Sequence, residues 1–278
     1  MKKRILVVLY AKEPSESATL QSLLNKHEDN SVLTIYNNGP DNINENDLVI
    51  KKLSLCFSSV DIIQDLSNKP LSILYNDFLS RDGECFFLFD DDTNVPDGYF
   101  TSSNESVDIR VPIIKTSMGE IMYPKVGSKV VTSEYTVPED VFVYSIGSGL
   151  VIYKSLIEVF TKLNLKLFDE RYALYGVDVS LFRRIMKLKK SGEQIIIKVE
   201  KEMVHSLSRV DESPSPFRLR ERLIDNVITL RHYPKSKISS TLFFIKMFTK
   251  RLFMFRFSEI LLMFNILIKG KHPRCSKI

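Results

Sequence analysis

Cys85-Phe86-Phe87-Leu88-Phe89-Asp90-Asp91-Asp92 is the stretch that decides the fold. Its five apolar residues show no polar alternation, the pattern of a strand buried on both faces of a parallel sheet. The run ends in three adjacent carboxylates. Like charges this close repel one another unless a cation sits among them. In extended chain Asp90 and Asp92 project to one side and Asp91 to the other. The oxygen donors suit Mg²⁺ or Mn²⁺, particularly where phosphates complete the shell. The bland alternative is a polar turn with capping aspartates.

Working outward, the same reading repeats. Arg4 to Tyr10 (RILVVLY) is a continuous apolar run and Ser31 to Tyr36 (SVLTIY) a second strand. A helix is predicted between them, from Ser15 or Ser17 as cap. Leu48 to Leu53 reads as a third strand. Pro70 suits the first turn of a helix through Leu79, ended by Arg81-Asp82-Gly83. Strands alternating with helices at this spacing predict βαβ units and a parallel sheet. Ligands in such sheets bind beyond the carboxyl ends of strands. Two very polar turns, Asn37 to Asp41 and Asp90 to Asn94, fall at those ends.

Downstream, Asp108 to Val143 reads as short strands and loops. Gly147-Ser148-Gly149 precedes an apolar stretch and a helix over Lys154 to Leu163. Another helix is predicted over Asp178 to Lys190, and a short strand over Gln194 to Val199. Ser213-Pro-Ser-Pro216 marks a boundary. Residues 1–212 are therefore expected to form one domain and 213–278 a helical appendage.

Charge separates the two parts more sharply than the total of +5. Residues 217–278 carry fourteen Lys and Arg against three Asp and Glu, leaving residues 1–216 net acidic. Leu242 to Lys269 mixes Phe, Met, Leu and Ile with Lys246, Lys250, Arg251 and Arg256, which suits helices lying on an anionic bilayer surface. The same composition also fits a packed helical subdomain with a solvated basic face. No stretch of 18 apolar residues is present, so no spanning helix is expected. The seven-residue run at the start lacks a small-residue cleavage site and reads as a core strand. Cys56, Cys85 and Cys275 show neither disulfide nor zinc spacing and fit a reducing compartment.

Several blocks in order resemble one family. FFLFDDDTNVPDGYF resembles the Asp-X-Asp region of family-two glycosyltransferases with the GT-A fold, an α/β nucleotide-diphospho-sugar transferase fold with a mixed sheet flanked by helices. GSGLVIYKSLIEVF followed by FDERYALYGVDVSLFRRI resembles that family's acceptor-side segment, with Val177 where the family usually has Glu. The His-Ser-Leu run at His205 is similar to rhamnosyltransferase-like enzymes of O-antigen and capsule assembly. The resemblance spans residues 3 to 210.

It implies Asp178 as catalytic base, with Asp92 and His205 as ligands of Mn²⁺ or Mg²⁺. It implies Tyr10, Asn37, Asn38, Asp41, Asn76, Asp90 and Asp91 on the donor nucleotide, and Arg209 on a phosphate oxygen. The implied reaction is inverting transfer from a UDP- or dTDP-sugar to a polyprenyl-diphosphate-linked glycan. The implied place is the cytoplasmic face of the cell membrane, with no nucleic-acid partner. Two other readings use the same residues. A metal-dependent nucleotidyltransferase also sets aspartates at a strand end, but no Gly-rich phosphate loop is present. A nucleic-acid-binding protein would use the basic tail, but it leaves the aspartates unexplained.

Overall fold

The computed structural model describes residues 1–101, 106–206 and 215–276. Arg209 and the expected 212/213 boundary lie outside the described residues. The first half is built from β1 (Lys3–Leu9), α1 (Ala18–Leu23), β2 (Glu28–Asn37), α2 (Leu48–Leu53), β3 (Phe57–Gln64), α3 (Leu71–Leu79), β4 (Cys85–Asp90) and β5 (Thr93–Asn94). The middle holds β6 (Ile109–Lys115), β7 (Ile121–Tyr123), β8 (Lys125–Val126), β9 (Lys129–Val130), β10 (Tyr135–Thr136) and β11 (Val143–Tyr144). Then follow β12 (Leu150–Tyr153), α4 (Lys154–Lys162), α5 (Val177–Lys190), β13 (Ile197–His205), α6 (Pro216–His232), α7 (Lys237–Phe253) and α8 (Phe257–Lys269).

The main sheet runs β10-β13-β6-β12-β4-β1-β2-β3. Strands β4, β1, β2 and β3 are mutually parallel, as the apolar runs predict. Their register aligns Leu9 with Asn37 and Asn37 with Gln64, while Val8 pairs Asp90. Four strand ends therefore open onto one edge. Beyond β4 the sheet becomes mixed. Strand β12 is antiparallel to both β4 and β6, and β13 runs parallel to β6. The sheet is GT-A in its arrangement, a parallel half joined to a mixed half.

Two elements differ from the sequence reading. Leu48–Leu53 is a helix and not a strand. Asp47 accepts a hydrogen bond from Val49 N at 2.7 Å, and Val49, Ile50 and Leu53 share the buried side. Spacings of three and four residues on one face are helical, and the cap settles the start. The third strand is Phe57–Gln64, half-buried along most of its length because it is the sheet edge. The last strand begins at Ile197 and continues to His205, six residues past the expected end.

The basic segment is not a loose appendage. Leu223, Ile224, Val227 and Ile228 of α6, with Met263 and Ile266 of α8, join one buried cluster with Leu181 of α5 and Phe78 of α3. Helix α7 contributes only Met247 as a buried residue, and its outer side stays exposed. Among the described residues no helix is long and apolar enough to cross a membrane. All three cysteines are free and buried.

Candidate active site

The acidic turn is fixed from beneath by hydroxyls. Ser17 caps α1 by accepting from Leu20 N, and its hydroxyl donates to the Asp91 carbonyl at 2.9 Å. Thr19 donates to the Asp90 carbonyl at 2.5 Å and accepts from Thr93 N at 2.9 Å. Asp90 N donates to Ser148 Oγ at 3.0 Å. These bonds hold the carbonyls of Asp90 and Asp91 and the amides of Asp90 and Thr93, leaving the carboxylates to other partners.

They diverge as extended geometry requires. Asp91 turns to Lys12, whose Nζ lies 2.6 Å from Oδ1. Asp90, Asp92 and His205 converge, each offering one ligand atom within 4.8 Å of the others. Residue His205 arrives because β13 pairs with β5, setting it opposite Thr93. Its Nδ1 bonds Thr93 Oγ1 at 2.8 Å, and that hydroxyl also bonds Ser148 Oγ at 2.6 Å.

Asp92 Oδ1 lies 3.3 Å from His205 Nδ1, yet it is buried and makes no hydrogen bond. The contact is close in distance but lacks hydrogen-bond geometry. A buried carboxylate oxygen without a partner is costly. Burial, with Asp92, Asp91 and Asp178 nearby, pushes the Asp90 carboxyl up to about 8. Burial also raises Asp92, against the opposing effect of His205. Both shifts mark carboxyls whose charged form is disfavoured by burial and by neighbouring carboxylates, which a bound cation would reverse. Two carboxylates and an imidazole fit a divalent ion.

Asp178 faces the same cavity, of about 360 Å³, as the three aspartates and His205. It sits in the first turn of α5, accepting from Val179 N at 2.8 Å. Gly176 precedes it with φ +80°, and a Cβ there would lie 2.2 Å from Asp225 Oδ1 and 2.7 Å from the Tyr172 ring. Only glycine accommodates that turn. Gly149 makes the second close approach. With φ +81°, its Cβ would lie 2.4 Å from Met203 Sδ, so the Gly-Ser-Gly turn lets Ser148 reach the acidic loop.

Other expected nucleotide residues divide into two groups. Tyr10 (49% exposed) and Asn38 line the cavity. Asn37 is 1% exposed, and its amide bonds the Asp41 carbonyl, Gln64 Oε1 and Gly39 N. It builds the turn after β2, while Asp41 lies exposed, away from the cavity wall. Asn76 is also elsewhere. It bonds Phe168 N and O at 3.0 and 2.9 Å, stapling α3 to the segment that leads to Asp178.

Sequence reasoning missed four contributors. Thr93 and Ser148 link His205 to the acidic turn, and Tyr75 reaches Asp90 Oδ1 at 3.5 Å. Arg274 also lines the cavity, from the far end of the chain. The first three lie inside or beside motifs already singled out. Nothing local marks Arg274.

No model of a protein family matches the chain, and no curated protein sequence matches it. Solved structures do. GalNAc-T7, crystallised with UDP, GalNAc and Mn²⁺, superposes with a TM-score of 0.53 at 12% identity, over 84% of this chain and 48% of that one. The present chain thus spans about half the length of that protein. PcManGT, a mannosyltransferase from Pyrobaculum calidifontis in complex with GDP-Man and Mn²⁺, gives 0.49 at 10% identity, over 82% and 61%. Residues 1–349 of S. aureus TarS give 0.48 at 15%, over 86% and 68%. The likeness to GalNAc-T7 is one of fold, and it agrees with the GT-A arrangement.

Proposed function

We propose that this chain is an inverting glycosyltransferase that moves a sugar from a UDP- or dTDP-sugar to a hydroxyl of a lipid-linked glycan in surface-polysaccharide assembly. One observation carries the reading. Asp90, Asp92 and His205 converge at the carboxyl edge of the sheet, and Asp178 faces the same cavity. The fold shared with GalNAc-T7, whose solved structure holds UDP and Mn²⁺, supports it.

In this reading Asp92 and His205 hold the cation, with Asp90 beside them. A bound divalent ion supplies Lewis acidity that stabilises the departing nucleoside diphosphate. Lys12 neutralises Asp91 and so keeps the charge of the turn directed at the outer pair. Asp178 accepts the proton of the attacking hydroxyl, a contribution of ~10²–10⁴-fold in rate. A single base facing the donor, with no second carboxylate assigned as nucleophile, gives one displacement and inversion.

The exposed face of α7 and α8 supports a membrane-borne acceptor. Phe253 (83% exposed) and Phe255 (79% exposed) stand at the turn between the helices, beside exposed Met254 and Phe257. Lys246 and Lys250 are exposed on α7, and Arg256 lies in the turn itself, paired with Glu259. Exposed aromatics with basic residues nearby in the chain fit an anionic bilayer, with each Lys or Arg near the surface worth ~1 kcal/mol. We assign this face to the inner surface of the cell membrane, where a lipid-linked acceptor is presented.

The deciding experiment is nucleotide titration calorimetry, UDP and dTDP separately, with Mn²⁺ or with EDTA, on wild type and Asp92→Ala. Binding that requires metal and is lost in the variant is expected. If wild type binds neither nucleotide under any metal condition, the glycosyltransferase reading is wrong.

A further inference from the structure

Arg274 is separated from the acidic turn by 182 positions in sequence yet lines the same cavity. What brings it there is a pinned turn. After α8 the chain reverses at Gly270, with φ +71°. His272 N then donates to the Arg171 carbonyl at 2.8 Å. The His272 ring is 5% exposed and meets Glu221 Oε2 of α6 at 3.1 Å. Arg274 N donates to His272 Nδ1 at 3.1 Å, so the network assigns the ring proton to Nε2, facing Glu221. The buried Cys275 follows. A terminal segment fixed at this many points is a built part of the fold.

The Arg274 guanidinium is shared between two partners. Its Nη1 donates to Asn68 Oδ1 at 2.6 Å, and Nη2 to Glu221 Oε2 at 3.2 Å. Asn68 sits in the loop after β3 with φ +52°. That loop is tied to the turn after β2, because Asn38 bonds both Lys69 N at 2.8 Å and Lys69 O at 3.0 Å. An arginine presents five N–H groups in a rigid plane, so holding Asn68 and Glu221 does not exhaust it.

Sheet order gives the direction. Asp90, Asp92 and His205 stand at β4, the turn after it, and β13, whereas Asn68 lies in the loop after β3 and holds Arg274 there. From β4 through β1 and β2 to β3 is three strand spacings, about 14 Å. A nucleoside diphosphate held by its phosphates at Asp92 therefore reaches Tyr10, Asn38 and then Asn68 with its nucleoside end. The acidic end of the cavity calls for a cation. The opposite end offers a planar donor fork and amides, which match the carbonyl-rich edge of a nucleobase.

The geometry points to Arg274, set by the His272–Glu221 pair and paired with Asn68, as a specificity-determining residue for the nucleoside part of the donor. The segment after α8 thereby completes the nucleotide pocket. This rests on the nucleotide-sugar reading above and adds to it a subsite supplied by a distant part of the chain.

The test is calorimetry on the full chain with Mn²⁺, using UDP, dTDP, GDP and inorganic pyrophosphate as separate probes. Arg274→Ala is expected to weaken the nucleotide that wild type prefers by about ten- to a hundred-fold, the range for a hydrogen bond to a charged group. Pyrophosphate binding is expected to stay within two-fold of wild type. Asn68→Ala should give the same split with a smaller loss, which guards against a folding artefact in either variant. Unchanged nucleotide affinity in Arg274→Ala overturns the assignment. So does an equal loss of pyrophosphate, which would put the guanidinium on the diphosphate. If wild type binds none of the four probes, it is the nucleotide-sugar reading that fails, and that result is distinct from both.

Discussion

His205 Nδ1 lies 3.3 Å from Asp92 Oδ1 and shares a hydrogen bond with Thr93 Oγ1, at 2.8 Å. The imidazole is thus oriented by a hydroxyl that belongs to the turn it faces. Ser148 extends the chain by bonding Thr93 Oγ1, and its own Oγ accepts from Asp90 N. Second contacts of this kind fix ring orientation in metal sites. Here three separate segments, ending at Asp92, Ser148 and His205, set one another's geometry.

Removing the imidazole should weaken metal binding and leave the fold intact. For His205→Gln we expect Mn²⁺ affinity to fall by about ten- to a hundred-fold, the range seen when metal-site partners are lost. Mg²⁺, which prefers oxygen donors, should suffer less. Competition titration of the two metals, followed by Mn²⁺ paramagnetic resonance, reads the ratio. An unchanged Mn²⁺ affinity would remove His205 from the shell.

Asp178→Asn should separate binding from chemistry. The amide keeps an oxygen that accepts from Val179 N in the first turn of α5 but cannot take a proton. Turnover is expected to drop by about 10²–10⁴-fold, with metal-dependent nucleotide affinity within a few-fold of wild type. Sugar transfer or donor hydrolysis measured beside nucleotide calorimetry checks both. Preserved turnover would return Asp178 to the role of a helix-start acid.

The Glu221 pairing predicts an acid-sensitive tail. Burial alone would raise its carboxyl, but the hydrogen bonds from His272 and Arg274, with the charge of Arg274, hold it below its ordinary 4.5. A depressed carboxyl adds stability above its unfolded value, and that stability is lost as pH falls through the folded one. Glu221→Gln should therefore lower the melting temperature by a few degrees at pH 7, corresponding to about 1–3 kcal/mol. The gap from wild type should close as pH drops below 4.5. Differential scanning calorimetry across that window decides. A gap that stays constant would mean the pair contributes through packing alone.

The turn between α7 and α8 predicts a membrane contact that can be deleted without touching the pocket. Phe253→Ser with Phe255→Ser should abolish co-sedimentation with vesicles containing anionic phosphatidylglycerol. Metal-dependent nucleotide binding should be unchanged. Wild type that stays in the supernatant at low salt would remove the bilayer assignment.

Much of the fold was legible because buried parallel strands have few alternatives. RILVVLY, SVLTIY and CFFLF became β1, β2 and β4, since such runs have nowhere to go but the centre of a sheet. The edge was harder. Phe57–Gln64 mixes Ser, Asp and Gln with its apolar residues because one side meets solvent, and its place was given to Leu48–Leu53. In the site, Asp90 and Asp92 were readable because charge repulsion can be seen in one dimension. For Asn37 the motif leaves two uses open, since an amide in an Asn-Asn-Gly-Pro turn can face a ligand or build the turn; in the structure it bonds the Asp41 carbonyl and Gln64. Arg274 had no local signal. Its position depends on α8 docking against α6, which is a tertiary fact.

The bond between Asn68 and Arg274 spans 206 positions in sequence. Contacts so distant form only after the intervening chain has been ordered, because loop closure must be offset by packing already in place. The acidic turn follows β4 and His205 joins it with β13, whereas Arg274, in the assignment proposed above, reaches the cavity only once α6 and α8 have docked. Ligand affinity therefore serves as a readout of assembly. A chain whose helices have not yet docked holds an open acidic cleft able to take a cation and poorly able to discriminate among nucleotides, so partly assembled molecules should be recognisable by metal uptake without base preference.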